Sequence, residues 1–251
     1  MCVDCGCSVR GKEEEHEHHH AHTHDDHVHD NPHLNDPKTI EVIKSLLDKN
    51  DHEAAHNRAH FDKHNVLGIN LMSSPGSGKT TLLEMLKDVA DFNYSVVEGD
   101  LETNRDADRL SAKGIQAIQI QTGSACHLDA MMVHKALHDI DLDAIDVCFV
   151  ENVGNLVCPA SYDVGTHLNV VLVSIPEGED KIAKYPVMFR KADLVLFTKV
   201  DLLPYFEYDI QREKAALRAL NPSADILEIS TKDSDSLKAF AQWIDFKKKM
   251  R

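Results

Sequence analysis

Three stretches of this chain carry side chains that do chemistry. The first is "CVDCGC" at residues 2–7, which spaces Cys2, Cys5 and Cys7 as C-x2-C-x-C. Three thiolates this close can wrap one soft or borderline ion, which selects zinc, nickel or copper over Mg²⁺ and Ca²⁺. The second is "SSPGSGKTT" at residues 73–81. Its spacing has the form of a P-loop: Gly76 and Gly78 let the backbone curl so that its N–H groups, with Ser74 and Ser77 in the same turn, face phosphate oxygens. Lys79 reaches the β- and γ-phosphates, the Thr80 hydroxyl ligates Mg²⁺, and Thr81 extends the hydroxyl pair. Ser73 stands where the pattern usually has its first glycine.

The third stretch is "TKVD", Thr198 to Asp201, after the apolar run "LVLF". A carboxylate at Asp201 can accept from guanine N1–H and the 2-amino group. Adenine has neither donor, so such a site discriminates by leaving its own polar group unpaired. The Lys199 stem lies along the base, and Thr198 takes the place of the usual asparagine. "EISTKDSD" near the end supplies Ser230 and Thr231 to back the base. Two further carboxylates, Asp100 in "VVEGDLETNRDADR" and Glu151 in "VCFVENVGN", complete an octahedral Mg²⁺ shell with Thr80. The Gly154 N–H is placed to sense the γ-phosphate. Lys79, Thr80 and Glu151 are thus the expected catalytic groups; no residue stands out as the one that positions the attacking water.

The elements that must hold these groups are legible from apolar patterning. "VLGINLM" is a continuous apolar run, as in a strand buried on both faces, and a helix from Lys79 to about residue 90 follows it. "YSVVE", "IQAIQI", "IDVCFVE", "NVVLVSI", "LVLFT" and "DILEIS" are six more strands, and helical segments separate most of them. Interleaved strands and helices imply an α/β P-loop NTPase fold, a mostly parallel sheet flanked by helices. Ligands in such sheets bind beyond the carboxyl ends of the strands, where every nucleotide motif above falls.

Upstream, residues 1–34 form a tail with three cysteines and nine histidines, in which "EEEHEHHHAHTHDDHVHD" is nearly all His and acid. With so few apolar residues this tail is expected to be disordered without metal. Residues 35–251 form the nucleotide-binding domain, opening on a helix with Asp36 as N-cap, Pro37 in the first turn, and Ile40, Ile43, Leu46 and Leu47 at helical spacing. His52, His56, His60 and His64 recur every four residues along that helix and read as a partly solvated face. Cys148 lies inside a strand and reads as core.

A formal charge of −15 argues against a nucleic-acid or anionic-membrane partner. No apolar stretch approaches a membrane span, and the N-terminus lacks a signal peptide's apolar region, which points to the cytoplasm. In a reducing compartment, six cysteines are thiolate ligands or buried thiols rather than disulfides.

Together with "QTGSACHLDA", "ENVGNLVCPASYD" and "EGEDKIAKYP", these motifs resemble the HypB family of nickel-incorporation GTPases over essentially the whole chain. The resemblance implies GTP hydrolysis, a GTP-dependent homodimer, and nickel delivery to the NiFe-hydrogenase large subunit with a HypA-type chaperone. It also implies that Cys126, His127 and Cys158 form a second Ni²⁺ or Zn²⁺ site; by residue type alone they are equally a packed thiol pair and a capping imidazole. Three ligands per chain leave such a site incomplete, so it is expected at a two-fold interface. Two other readings stay open: a nickel or zinc storage protein with a regulatory nucleotide site, and a related GTPase that serves urease.

Overall fold

The computed structural model describes residues 36–100, 105–123 and 125–251. Cys2, Cys5, Cys7 and the His-rich run lie outside the described residues.

Seven strands form one sheet: β1 (Leu67–Ser73), β2 (Tyr94–Asp100), β3 (Gln116–Gln121), β4 (Val147–Glu151), β5 (Leu168–Ser174), β6 (Leu194–Thr198) and β7 (Asp225–Ile229). Their order is β3-β2-β4-β1-β5-β6-β7, and every pairing is parallel. The helices are α1 (Pro37–Lys63), α2 (Lys79–Leu86), α3 (Arg105–Ala112), α4 (Ala130–Leu137), α5 (Lys181–Lys184), α6 (Pro186–Arg190), α7 (Ile210–Leu220) and α8 (Ser234–Lys249). None of the described helices is long and apolar enough to cross a membrane.

Alternation along each strand divides the core. Leu67, Ile69, Leu71, Phe149 and Leu172 pack on one face with Leu82 and Leu83 of α2 and Phe240 of α8. On the other face, Cys148 and Val150 meet Phe61 of α1 and Val133 and Leu137 of α4. Further along that face, Val171, Val173 and Phe197 meet Met188 of α6 and Leu217 of α7. Cys148 is fully buried, and burial raises its thiol pKa to about 12, so it is an inert core residue.

The opening helix forms as expected but differs from its expected cap and contacts. The Asp36 side chain caps no backbone N–H; it accepts instead from the Thr39 hydroxyl at 3.3 Å. Pro37 leaves one orphan donor fewer for a cap to satisfy. Ile40 and Leu46 remain 51% and 43% exposed, so the first turns present their apolar stripe outward. Docking starts at Asn50 and runs through Ala54, Asn57 and Phe61, which are all buried. Amide clamps hold it there. Asn50 accepts from the Ala130 N–H at 2.9 Å and donates to the Asp163 carbonyl at 2.8 Å. The histidine face is not simply solvated either: His134 of α4 stands against His56, with ring centroids 4.8 Å apart.

Candidate nucleotide site and adjoining thiol cluster

At the carboxyl edge of the sheet, β1 ends in the glycine-rich turn and α2 begins directly at Lys79. Gly76 and Gly78 adopt φ of +76° and +97°, a conformation open to glycine and strained for other residues. The turn borders a cleft of about 460 Å³ lined by Gly76, Lys79, Thr80, Asp100, Glu151 and Gly154 among others. Thr81, Thr198, Lys199 and Thr231 also line it.

Ser73 has a role in this chain. The Lys79 ammonium donates to the Ser73 hydroxyl at 3.1 Å, and that hydroxyl donates to the Ser74 carbonyl at 2.7 Å. Ser77 in turn lies 2.8 Å from the same carbonyl and against the Glu177 carboxylate. Burial pushes the Lys79 pKa down, while the nearby Glu151 charge opposes that shift.

The carboxylates gather as expected, with one addition. Thr80 donates to Glu151 at 2.8 Å, which joins the two groups proposed from sequence for the metal shell. Glu98 pairs in register with Glu151 across β2 and β4, so both carboxyls rise from the same face. Burial, and then the Glu151 and Asp100 charges, push the Glu98 pKa up to about 8. Burial also raises that of Glu151. Oε2 of each is buried without a hydrogen-bond partner, as groups short of one cation would be. Sequence reading passed over Glu98, although strand alternation puts it on the same face as Asp100.

At the far end of the cleft, Thr198 donates to the Ser77 carbonyl at 2.9 Å and Lys199 to the Gly76 carbonyl at 2.7 Å. The hydroxyl that replaces the usual asparagine therefore still braces the phosphate turn. Asp201 sits just beyond the lining, accepting from Ser230 at 2.8 Å and paired with Lys232 at 2.8 Å. Hydrogen bonds from Lys232 and Ser230 hold its pKa below the usual carboxylate value.

Gly154 sits at the closest approach between two loops: a Cβ there would meet Pro75 Cα at 2.8 Å. In Gly154→Ala the phosphate turn must shift. Overpacking of about 1–3 kcal/mol predicts nucleotide affinity roughly 5- to 150-fold weaker, read by titration with a fluorescent guanine nucleotide. Unchanged affinity would show that this turn does not touch the phosphates.

Beside the cleft, Cys126, His127 and Cys158 place their ligand atoms within 4.8 Å of one another. Cys126 Sγ lies 2.9 Å from Cys158 Sγ and 3.9 Å from His127 Nδ1. The His127 ring stacks on Tyr162 with centroids 3.9 Å apart. Two asparagines that sequence reading missed tie this cluster to the nucleotide turn. Asn152, next to Glu151, accepts from the Leu128 N–H at 3.1 Å and the Val153 N–H at 3.0 Å. Asn155, next to Gly154, donates to the Cys126 carbonyl at 3.2 Å. Only their position beside Glu151 and Gly154 hinted at this.

Comparison with known proteins agrees with this geometry. Residues 68–228 match the family model described as CobW/HypB/UreG, nucleotide-binding domain. The chain is 48% identical over 227 residues to the hydrogenase/urease maturation factor HypB of Helicobacter hepaticus, covering 89% of this chain and 93% of that one. To the hydrogenase maturation factor HypB of Escherichia coli K12 it is 45% identical over 216 residues, 85% of this chain and 74% of that one. The crystal structure of HypB from Helicobacter pylori in complex with nickel superposes with a TM-score of 0.79 at 48% identity, covering 80% of this chain and 96% of that one. With family model, sequence and fold in agreement, this chain belongs to the HypB family of maturation factors, within the CobW/HypB/UreG nucleotide-binding domains.

Proposed function

We propose that the protein is a GTP-hydrolysing nickel metallochaperone that acts as a nucleotide-dependent homodimer. It delivers nickel to the NiFe-hydrogenase large subunit together with a HypA-type partner. The observation that carries this reading is the pair of asparagine bridges from the Glu151–Gly154 turn to the Cys126–His127 loop. Through them a γ-phosphate that draws in the turn also moves the thiol cluster.

The donor set fits Mg²⁺: Thr80, Asp100 and Glu151 are oxygen ligands, and the orphaned oxygens of Glu98 and Glu151 favour a cation beside them. When bound, the ion neutralises charge on the β- and γ-phosphates. Lys79 supplies the remaining positive charge, Thr198 and Lys199 hold the phosphate turn, and Asp201 selects guanine. Nickel, as cargo, is taken by Cys126, His127 and Cys158, whose thiolates and imidazole also suit zinc. The name of the Helicobacter hepaticus relative, which includes urease, supports that enzyme as a second recipient.

Nickel titrated into protein lacking residues 1–34, loaded with GDP or a non-hydrolysable GTP analogue, tests the coupling. The affinities are expected to differ by roughly 5- to 150-fold, and by reciprocity nickel shifts GTP against GDP affinity by the same factor. Asn152→Ala, which removes the bridge to Leu128, brings the ratio toward one. Equal nickel affinities in the two wild-type states would overturn nucleotide-gated transfer.

A further inference from the structure

We propose that the face between α1 and α4 carries another transition-metal site, separate from the thiol cluster, built from His134 of α4 and His138 at its C-cap, with His56 and Glu53 of α1. A divalent cation of the nickel or zinc class is its ligand.

Two helices each contribute imidazoles at i, i+4 spacing, and the pairs face one another. The His134 ring lies 4.8 Å from His56 and 4.8 Å from His138, centroid to centroid. His134 Nε2 and His138 Nε2 are 3.2 Å apart. Two imidazole nitrogens bound to one tetrahedral ion at about 2.0–2.1 Å stand at nearly that separation. Ligand atoms of Glu53, His56 and His134 all fall within 4.8 Å of one another. The His56 side chain is 61% exposed, which leaves its ring room to turn toward the other donors.

The tautomer of His134 is set from behind. Buried Asn57 donates through Nδ2 to the carbonyls of Ala130 and Val164, at 2.7 and 3.2 Å. Its Oδ1 is therefore turned to accept, and it meets His134 Nδ1 at 3.0 Å. With the proton on Nδ1, the Nε2 lone pair points into the cleft. A ring nitrogen fixed in this way is how proteins orient metal-binding histidines. Burial first, then neighbouring imidazoles, lower the pKa of His134 and His60, which favours the neutral rings that a metal needs. His60 and Lys63 border the same cleft, which is open to solvent. Imidazole with one carboxylate suits zinc, nickel or copper rather than Mg²⁺ or Ca²⁺.

An ion here would pin α1, which otherwise docks by amide clamps, to α4. The Asp129 side chain caps α4 at 2.7 Å from the Met132 N–H, only two residues beyond His127. The site thus lies on the helix that leaves the thiol cluster.

Crystals of the full chain grown with nickel or zinc chloride locate the ion by anomalous scattering. A peak is expected between α1 and α4, about 2.0–2.1 Å from His134 Nε2. In H56Q/H138Q that peak disappears while the peak at Cys126, His127 and Cys158 stays; unchanged GTP turnover confirms that the variant is folded. In solution, metal at a hundredfold excess over its dissociation constant should slow amide exchange in residues 50–63 by up to about 100-fold in wild type only. Three outcomes would overturn the proposal: metal only at the thiol cluster at saturation, an α1–α4 peak completed by a neighbouring molecule in the crystal, or equal slowing of exchange in the variant.

Discussion

Lys79→Ala is expected to lower GTP turnover by roughly 100- to 1000-fold, the usual cost of losing one preorganised group that opposes developing transition-state charge. Lys79 is only 8% exposed and its ammonium is tethered at 3.1 Å to Ser73, so it waits in the cleft rather than being recruited from solvent. Low dielectric and short reach make its charge worth more there than at the surface. Among the described residues, the cations that line the cleft beside it are already engaged: Lys199 with the Gly76 carbonyl, and Arg109 with Glu84 and Asp106. Single-turnover assays with saturating GTP and Mg²⁺ separate this loss of rate from weaker binding. Turnover within a few-fold of wild type would remove Lys79 from the reaction.

Asp201→Asn changes which base is read. A hydrogen bond to a charged group contributes about 1.5–3 kcal/mol, so the GTP-over-ATP preference should fall by roughly 10- to 150-fold. The amide reverses part of the donor pattern, and xanthine carries a carbonyl where guanine carries its 2-amino group. Xanthosine triphosphate should therefore gain on GTP in the variant. Lys232 does not block the base in wild type, because its side chain is 75% exposed and can swing away from Asp201. Competition of each triphosphate against a fluorescent GDP analogue reads both shifts. Equal ATP and GTP affinity in wild type, or an unaltered preference in Asp201→Asn, would move base recognition elsewhere.

Motifs whose geometry is local were legible before the fold. The phosphate turn and the Thr198–Asp201 stretch are each contiguous, and residue spacing dictates how their backbones bend. Lys79, Thr80, Thr198 and Lys199 accordingly line one cleft. All seven strands were legible as well: the inner ones chiefly as apolar runs buried on both faces, the edge strands β3 and β7 as shorter apolar stretches interrupted by polar residues. The opening helix was read correctly as a helix, but its first turns are not the part that docks. Ile40 and Leu46 are exposed, while Ala54 and Phe61 dock together with Asn50 and Asn57, whose amide bonds no apolar pattern announces.

The sequence by itself determined the type of fold and the bend of the phosphate turn, because each depends on neighbours within a few residues. Tertiary structure alone decided which strands adjoin, since every buried parallel strand presents the same kind of edge. Strand order sets Glu98 beside Glu151 and gives a buried carboxyl pair its raised pKa values. Loop packing sets Asn152 against Leu128, linking the phosphate turn to the thiols. Helix docking brings His134 onto His56 across 78 positions of chain, and nothing in the local periodicity of either helix encodes that meeting. Such contacts form only when the whole core closes, which is why they must be read from the folded molecule.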